Sequence, residues 1–146
     1  MFKKDIKNSA YGLLARREHS KEELRQKLLL REYALEDIEP ILQALSEQNI
    51  QSDIRFAESL MRVRISRGYG WIYICAELKQ KGLANDIISE IHQTQSIDWF
   101  EQAHVAYQKR FADTPISDEK DKAKRIRFLQ SRGFDFEQIS AALNLD

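Results

Sequence analysis

The chain is poor in the residues that mark several structural classes. It holds a single cysteine, Cys75, in 146 residues, which excludes an internal disulfide and a cysteine-cluster metal site. Two prolines and five glycines are few for a fold of many short strands, whose turns draw on both. No apolar run approaches the ~18 residues of a bilayer span. The start, Met1-Phe2-Lys3-Lys4-Asp5, lacks the apolar stretch of a signal peptide, so a soluble cytoplasmic protein is expected. Net charge is lacking as well: 23 Lys plus Arg stand against 23 Asp plus Glu. The balance holds along the chain, with nine of each sign in residues 1–50, six basic against five acidic in 51–97, and eight against nine in 98–146. A protein held to DNA mainly by bulk charge is thereby excluded, and local patches stay open.

What is present points to helices. Residues are 42% hydrophobic and 32% charged, the latter above the quarter or so of ordinary domains. Ile38, Ile41, Leu42 and Leu45 fall at i, i+3, i+4 and i+7, one stripe of an amphipathic helix over 34–48. Ser20-Lys21-Glu22-Glu23 is a capping-box pattern, and a helix is expected from there to about Arg31. Further helices are expected over 4–17, 53–67 and 98–111, with Ala57, Leu60 and Met61 or Phe100, Ala103 and Tyr107 as apolar faces. Trp71-Ile72-Tyr73-Ile74-Cys75 suits a strand by composition, yet Trp71, Ile74, Cys75 and Leu78 keep helical spacing, which favours a helix running on to Gly82.

The sequence repeats one pattern three times. Leu28, Leu78 and Leu129 align. Beyond each come a base (Arg31, Lys81, Arg132), then Glu32, Gly82 or Gly133, then a bulky apolar residue (Tyr33, Leu83, Phe134). An acid (Glu36, Asp86, Glu137), an isoleucine (Ile38, Ile88, Ile139) and a last apolar position (Ile41, Ile91, Ala142) follow in register. The leucine is a helix's last core contact, the base complements the negative helix end, and glycine suits a left-handed cap closed by the bulky residue. Glu32 breaks the column; in the same cap it would cost about 1 kcal/mol, so the first of these helices is expected to end differently. The expected fold is all-α: three tandem three-helix repeats over 1–50, 51–97 and 98–146, forming an elongated and curved array.

No catalytic, cofactor or metal constellation emerges. His19, His92 and His104 lack metal-ligand spacing, and His92 stands in the apolar column held by Leu42 and Leu143, where a half-buried structural histidine is expected. Cys75, on the inward stripe, reads as core. Gly68-Tyr69-Gly70 lacks the Lys and Ser/Thr of a phosphate loop and reads as a turn. The basic residues are clustered, however. Arg62, Arg64 and Arg67 lead into Tyr69, Trp71 and Tyr73 with no acid between Glu58 and Glu77, a patch suited to a nucleic-acid backbone or an acidic protein face. Lys120, Lys122, Lys124, Arg125 and Arg127 form a second run, explicable as a solvated face or as phosphate contacts.

Four stretches carry a family resemblance: Leu14-Ala15-Arg16-Arg17-Glu18-His19-Ser20 with Glu23-Leu24 and Lys27-Leu28; Ser52-Asp53-Ile54-Arg55-Phe56-Ala57; Arg67-Gly68-Tyr69-Gly70 before Glu77-Leu78-Lys79-Gln80-Lys81-Gly82; and Arg127-Phe128-Leu129-Gln130-Ser131-Arg132-Gly133-Phe134. In this order they resemble the RecX regulatory proteins, bacterial modulators of the RecA recombinase. The resemblance implies a non-enzymatic protein of recombination, repair and the SOS response. Such a protein binds RecA filaments in their helical groove, touches more than one protomer, and limits recombinase, ATPase and coprotease activity. Some members also bind DNA, and direct binding of single- or double-stranded DNA through the basic patches is the rival function. Glu32 departs from a position where the family often has glycine. Residues expected to meet RecA or DNA are Arg62, Arg64, Arg67, Tyr69, Tyr73, Lys79, Lys81, Lys124, Arg125, Arg127 and Arg132, on a monomer with no cofactor and no membrane contact.

Overall fold

A computed structural model describes residues 2–145, with side chains from Lys4 onward. Among them are nine helices and no strand: α1 (Phe2–Arg16), α2 (Lys21–Leu30), α3 (Leu35–Glu47), α4 (Asp53–Ser66), α5 (Trp71–Gln80), α6 (Asn85–Thr94), α7 (Trp99–Phe111), α8 (Glu119–Ser131) and α9 (Phe136–Leu143). The Trp71–Cys75 stretch is helical, as its i, i+3, i+4 spacing required. Two histidine and aromatic expectations fail. His92 and Phe100 are exposed, because the apolar stripe of α6 is complete with Ile88 and Ile91 and that of α7 with Ala103, Ala106 and Tyr107. Cys75 is half-buried, beside the fully buried Ile74.

The chain forms two compact units: Met1–Ser59 with Leu78–His92, and Leu60–Glu77 with Gln93–Asp146. In the first, Ile6, Ala10 and Leu13 of α1, Leu24 and Leu28 of α2, and Ile38, Leu42 and Leu45 of α3 make one core. In the second, Ala103, Ala106 and Tyr107 of α7 meet Leu129 and Phe134 and the α9 residues Ile139, Ala142 and Leu143.

The repeat columns are a hydrogen-bonding motif written in sequence. The amides of Tyr33, Leu83 and Phe134 donate to the carbonyls of Leu28, Leu78 and Leu129 at 3.4, 3.2 and 3.2 Å, the long bond of a Schellman cap. Between them, Glu32, Gly82 and Gly133 take φ of 69°, 86° and 94°. The first helix of the set therefore ends as the other two do, against expectation, with Glu32 bearing the left-handed strain.

Each glycine of this column also receives a helix start. At Gly82, the Ser20 hydroxyl donates to the Lys81 carbonyl at 2.8 Å, and an added Cβ would lie 2.5 Å from Glu22 Cβ. At Gly133, the Gly70 and Ile72 amides donate to the Arg132 and Gly133 carbonyls at 2.7 and 3.0 Å, and an added Cβ would lie 2.5 Å from Tyr73 Cβ. Ser20 and Gly70 occupy the same repeat position, 50 residues apart. One junction is thus made twice, each time joining the start of a module's second helix to the end of the next module's second helix. These bonds satisfy amides and carbonyls that helix termini otherwise leave orphaned. Glu32 is exposed, so its side chain runs into solvent, whereas a Cβ on either glycine would strike a neighbouring helix.

The first junction carries buried charge. Arg17 grips both oxygens of Glu23 at 3.1 and 2.9 Å, the Ser20 amide donates to the same carboxylate, and Lys81 stands 3.4 Å away. Burial alone would push the Glu23 carboxyl up. The Arg17 and Ser20 hydrogen bonds and the two cations outweigh it and hold the group at about 2. His19 is buried beside it, bonded through Nδ1 to the Arg17 carbonyl and through Nε2 to Lys27 Nζ, each at 3.0 Å. A carbonyl can only accept, so Nδ1 carries the proton and Nε2 accepts from the lysine. Burial lowers the His19 pKa, the carbonyl opposes this, and Arg17 and Lys27 lower it further.

Both groups bind protons more weakly in the folded chain, so stability falls as pH falls. The His19 contribution is present above about 6.5 and is lost as pH drops through its lowered pKa. The Glu23 contribution is present above about 4.5 and is lost toward pH 2. Urea unfolding followed by circular dichroism should therefore give a midpoint that declines below pH 6.5 and more steeply below 4.5. In Glu23→Gln it should start lower at neutral pH and decline less below 4.5; parallel profiles would show that Glu23 is not the group responsible.

Candidate functional site

The second unit builds a cationic cleft around the turn from α4 to α5. That turn closes with Gly68 at φ 86° and the Tyr69 amide on the Arg64 carbonyl at 3.0 Å. Gln102 of α7 clamps it, donating from Nε2 to the Ile65 and Tyr69 carbonyls at 2.8 and 3.2 Å. Arg132, at the end of α8, donates to the Arg67 carbonyl at 3.0 Å. Three elements are thereby held around one opening of about 270 Å³, lined by Arg67, Gly68, Ala106, Lys109, Arg110, Phe128 and Arg132. Four of these seven residues are cationic and none is acidic.

The cations are backed by rings. The Arg132 guanidinium lies 4.8 Å from the Tyr69 ring centre and 5.1 Å from that of Phe128, and Arg110 lies 5.5 Å from Phe128. Tyr69 in turn stacks on Tyr73 at 4.2 Å, and Phe111 meets Phe128 edge-on at 5.5 Å. Ring faces attract the guanidinium planes and restrict their rotation, leaving the N–H edges to meet an anion. Such a site can bind anions; its ring faces are already occupied by arginines.

The residues expected from sequence fall into different settings. Arg67 and Arg132 line the cleft, and Tyr69 lies behind Arg132 with Tyr73 stacked on it. Arg64 turns from it into a two-bond ion pair with Glu77 at 2.7 and 2.8 Å, a hydrogen bond that raises its pKa against the opposing effect of burial. Arg62 is exposed on α4. Lys79 is exposed and Lys81 half-buried at the Glu23 junction, both in the first unit. Lys124 and Arg127 are exposed along a groove that also contains Asp118 and Asp121. Arg125 is buried on the inner side of α8, its donors directed to Tyr107, Thr114, Pro115 and Asp121. Its place among surface contacts is corrected accordingly: it lies four residues before the fully buried Leu129, and so takes the buried face. Lys109, Arg110 and Phe128 were missed by sequence reasoning. Ala106, Lys109 and Arg110 lie at i, i+3 and i+4 on one face of α7, the signal that could have found them.

Among the described residues no helix is long and apolar enough to cross a membrane, and no group of three or more His, Cys, Asp or Glu is placed to hold a metal ion. Models of the first, second and third three-helix domains of RecX match residues 7–45, 52–90 and 96–143. The regulatory protein RecX of Chromohalobacter salexigens is 44% identical over 94% of this chain and 90% of its own. That of Vibrio campbellii is 41% identical over 96% and 90%. The crystal structure of RecX from Lactobacillus salivarius has the same fold, with a TM-score of 0.79 at 19% identity over 97% of this chain and 94% of that one. Three domain models in order along the chain, and relatives above 40% identity over nearly its full length, show that the chain belongs to the RecX family of regulatory proteins.

Proposed function

We propose that the chain is a non-enzymatic regulator that binds the RecA filament and lowers its recombinase, ATPase and coprotease activities, acting in the cytoplasm as a monomer of three modules, 1–50, 51–97 and 98–146. Membership of a family whose members are named regulatory proteins carries this reading. The repeated modules support it: a chain built of like units presents like surfaces at intervals, which suits a filament built of like protomers. A binder shifts a filament between active and inactive states only by its difference in affinity for the two. The modules therefore act by preferring the less active arrangement, or by favouring loss of subunits.

The test is a titration of purified protein against RecA assembled on single-stranded DNA, reading ATP hydrolysis and strand exchange. Both are expected to fall several-fold well before the protein is in large excess over RecA. If saturating protein leaves both unchanged, the proposal fails.

A further inference from the structure

We propose that residues 112–118, between α7 and α8, are a strained strap that opens as a unit over the buried Arg125 while the helices stay folded, and that a carboxylate of the bound partner holds it open. The regulatory part rests on the reading that the chain acts on the RecA filament. The strain lies at Ala112, which takes φ 52° and ψ −140°. Glycine adopts such values freely, whereas a residue with a Cβ keeps them only where its surroundings enforce them. Ala112 is itself exposed, so the enforcement comes from the rest of the strap. Ile116 is half-buried against the second core, and Arg125, 3% exposed, donates to the Thr114 and Pro115 carbonyls at 2.8 and 3.2 Å. The Ser117 amide adds a bond to Asp121 at 3.0 Å. Every other side chain of the segment is exposed. A segment with so little apolar contact and a strained first residue opens at a smaller cost than the core beside it.

Opening frees a strong binding group. All five N–H donors of Arg125 are engaged: two on Asp121, one on the Tyr107 hydroxyl and two on neutral carbonyls of the strap. Those last two come from the two terminal nitrogens, the edge of the fork that matches a carboxylate, and charge-assisted bonds there are about twice as strong as bonds to carbonyls. Opening also lifts Ile116 from the cluster that contains Tyr107 and packs against Phe111. The partner chemistry is therefore an acidic side chain beside an apolar one. Lys124 and Arg127, exposed along the groove that Thr114 and Pro115 also line, favour the same sign. The uncovered fork and cluster are the contacts that differ between the two states, as a shift by a partner requires.

The experiment compares wild type, Ala112→Gly and Ile116→Ala. Hydrogen exchange by NMR follows the Thr114 and Ser117 amides and the Arg125 Nε–H, against the Leu129 amide of the core. In wild type the first three should share one opening, about 10-fold or more as frequent as that of Leu129. Ala112→Gly relieves the strain and should reduce opening about 5-fold, while Ile116→Ala should increase it about 3-fold. Affinity for the partner scales with the open fraction, so the concentration that halves RecA ATP hydrolysis should rise about 5-fold in the first variant and fall about 3-fold in the second. The Tm of Ala112→Gly should not fall, so its weaker inhibition is not a folding defect. On the RecA filament, peptide-level exchange of wild-type residues 112–118 should be faster than in the free chain, and bare DNA should not have this effect. The proposal is overturned if the Arg125 Nε–H exchanges only with Leu129, if the variants shift exchange without shifting inhibition, if the strap exchanges no faster on the filament, or if bare DNA accelerates it equally. A wild type that leaves RecA unaffected overturns the reading beneath the regulatory part, and that part with it; the exchange of the free chain then still decides whether the strap opens.

Discussion

Gly133→Ala is expected to destabilise the second unit by about 3 kcal/mol, seen as a lower urea midpoint and an earlier loss of helical circular dichroism. Two costs add. Alanine at φ 94° bears the left-handed penalty of about 1–2 kcal/mol. Its Cβ also arrives 2.5 Å from Tyr73 Cβ and against the Tyr73 backbone, where overpacking costs about 1–3 kcal/mol more. The obstacle is backbone, so α5 must move, and that pulls on the Gly70 and Ile72 bonds to the Arg132 and Gly133 carbonyls. Gly82→Ala meets Glu22 Cβ at the same distance and should likewise cost about 3 kcal/mol, since a Cβ is fixed to its own backbone and α2 must shift to make room. Glu32→Gly should act in the opposite sense and stabilise by about 0.5 kcal/mol, the relief of left-handed strain less the freedom glycine gives the unfolded chain. One repeat column thus predicts two losses and one gain. A loss at all three positions would overturn the account of why the column is glycine twice and glutamate once.

That column also shows how far the sequence could be read. Leu28, Leu78 and Leu129, with Ile38, Ile88 and Ile139, are buried as their spacing required, because helical periodicity is a local property visible within one turn or two. The capping box at Ser20 formed for the same reason. What Gly82 and Gly133 receive could not be read, since the approach of Glu22 and Tyr73 comes from residues 60 positions away in sequence. The cleft was half legible: Arg67 and Arg132 stand out in the sequence, while Lys109, Arg110 and Phe128 join them only through the packing of α7 and α8. Arg64 and Arg67 are three apart and look equivalent. Only the bond to Glu77, thirteen residues on, separates a structural arginine from one that faces the cleft.

Arg125→Leu is the substitution by which that separation is best tested in the second basic run, and it should lower Tm by about 10 °C or more, while Lys124→Ala and Arg127→Ala change it little. The Arg125 guanidinium donates to the Tyr107 hydroxyl at 2.7 Å, to the Thr114 and Pro115 carbonyls at 2.8 and 3.2 Å, and pairs with Asp121 at 3.1 Å. It also lies 4.8 Å from the centre of the Phe111 ring. Leucine fills part of the volume but takes their guanidinium donor from the Thr114 and Pro115 carbonyls and leaves Asp121 with the Ser117 amide alone, and the cost of these lost bonds exceeds what the new apolar contact returns. Lysine should not rescue the variant, because one ammonium cannot reach acceptors that the planar fork meets on several sides. The anchored segment, residues 112–118, should become the first site of proteolysis in Arg125→Leu, since the bonds to Thr114 and Pro115 tie it to α8. If instead Arg125→Leu keeps its Tm and its resistance to protease but loses RecA inhibition, the residue is a partner contact after all. Loss of inhibition accompanied by unfolding and early cleavage marks it as a support for the loop, and leaves Lys124 and Arg127 as the run's only residues, among these three, able to meet a partner from the folded surface.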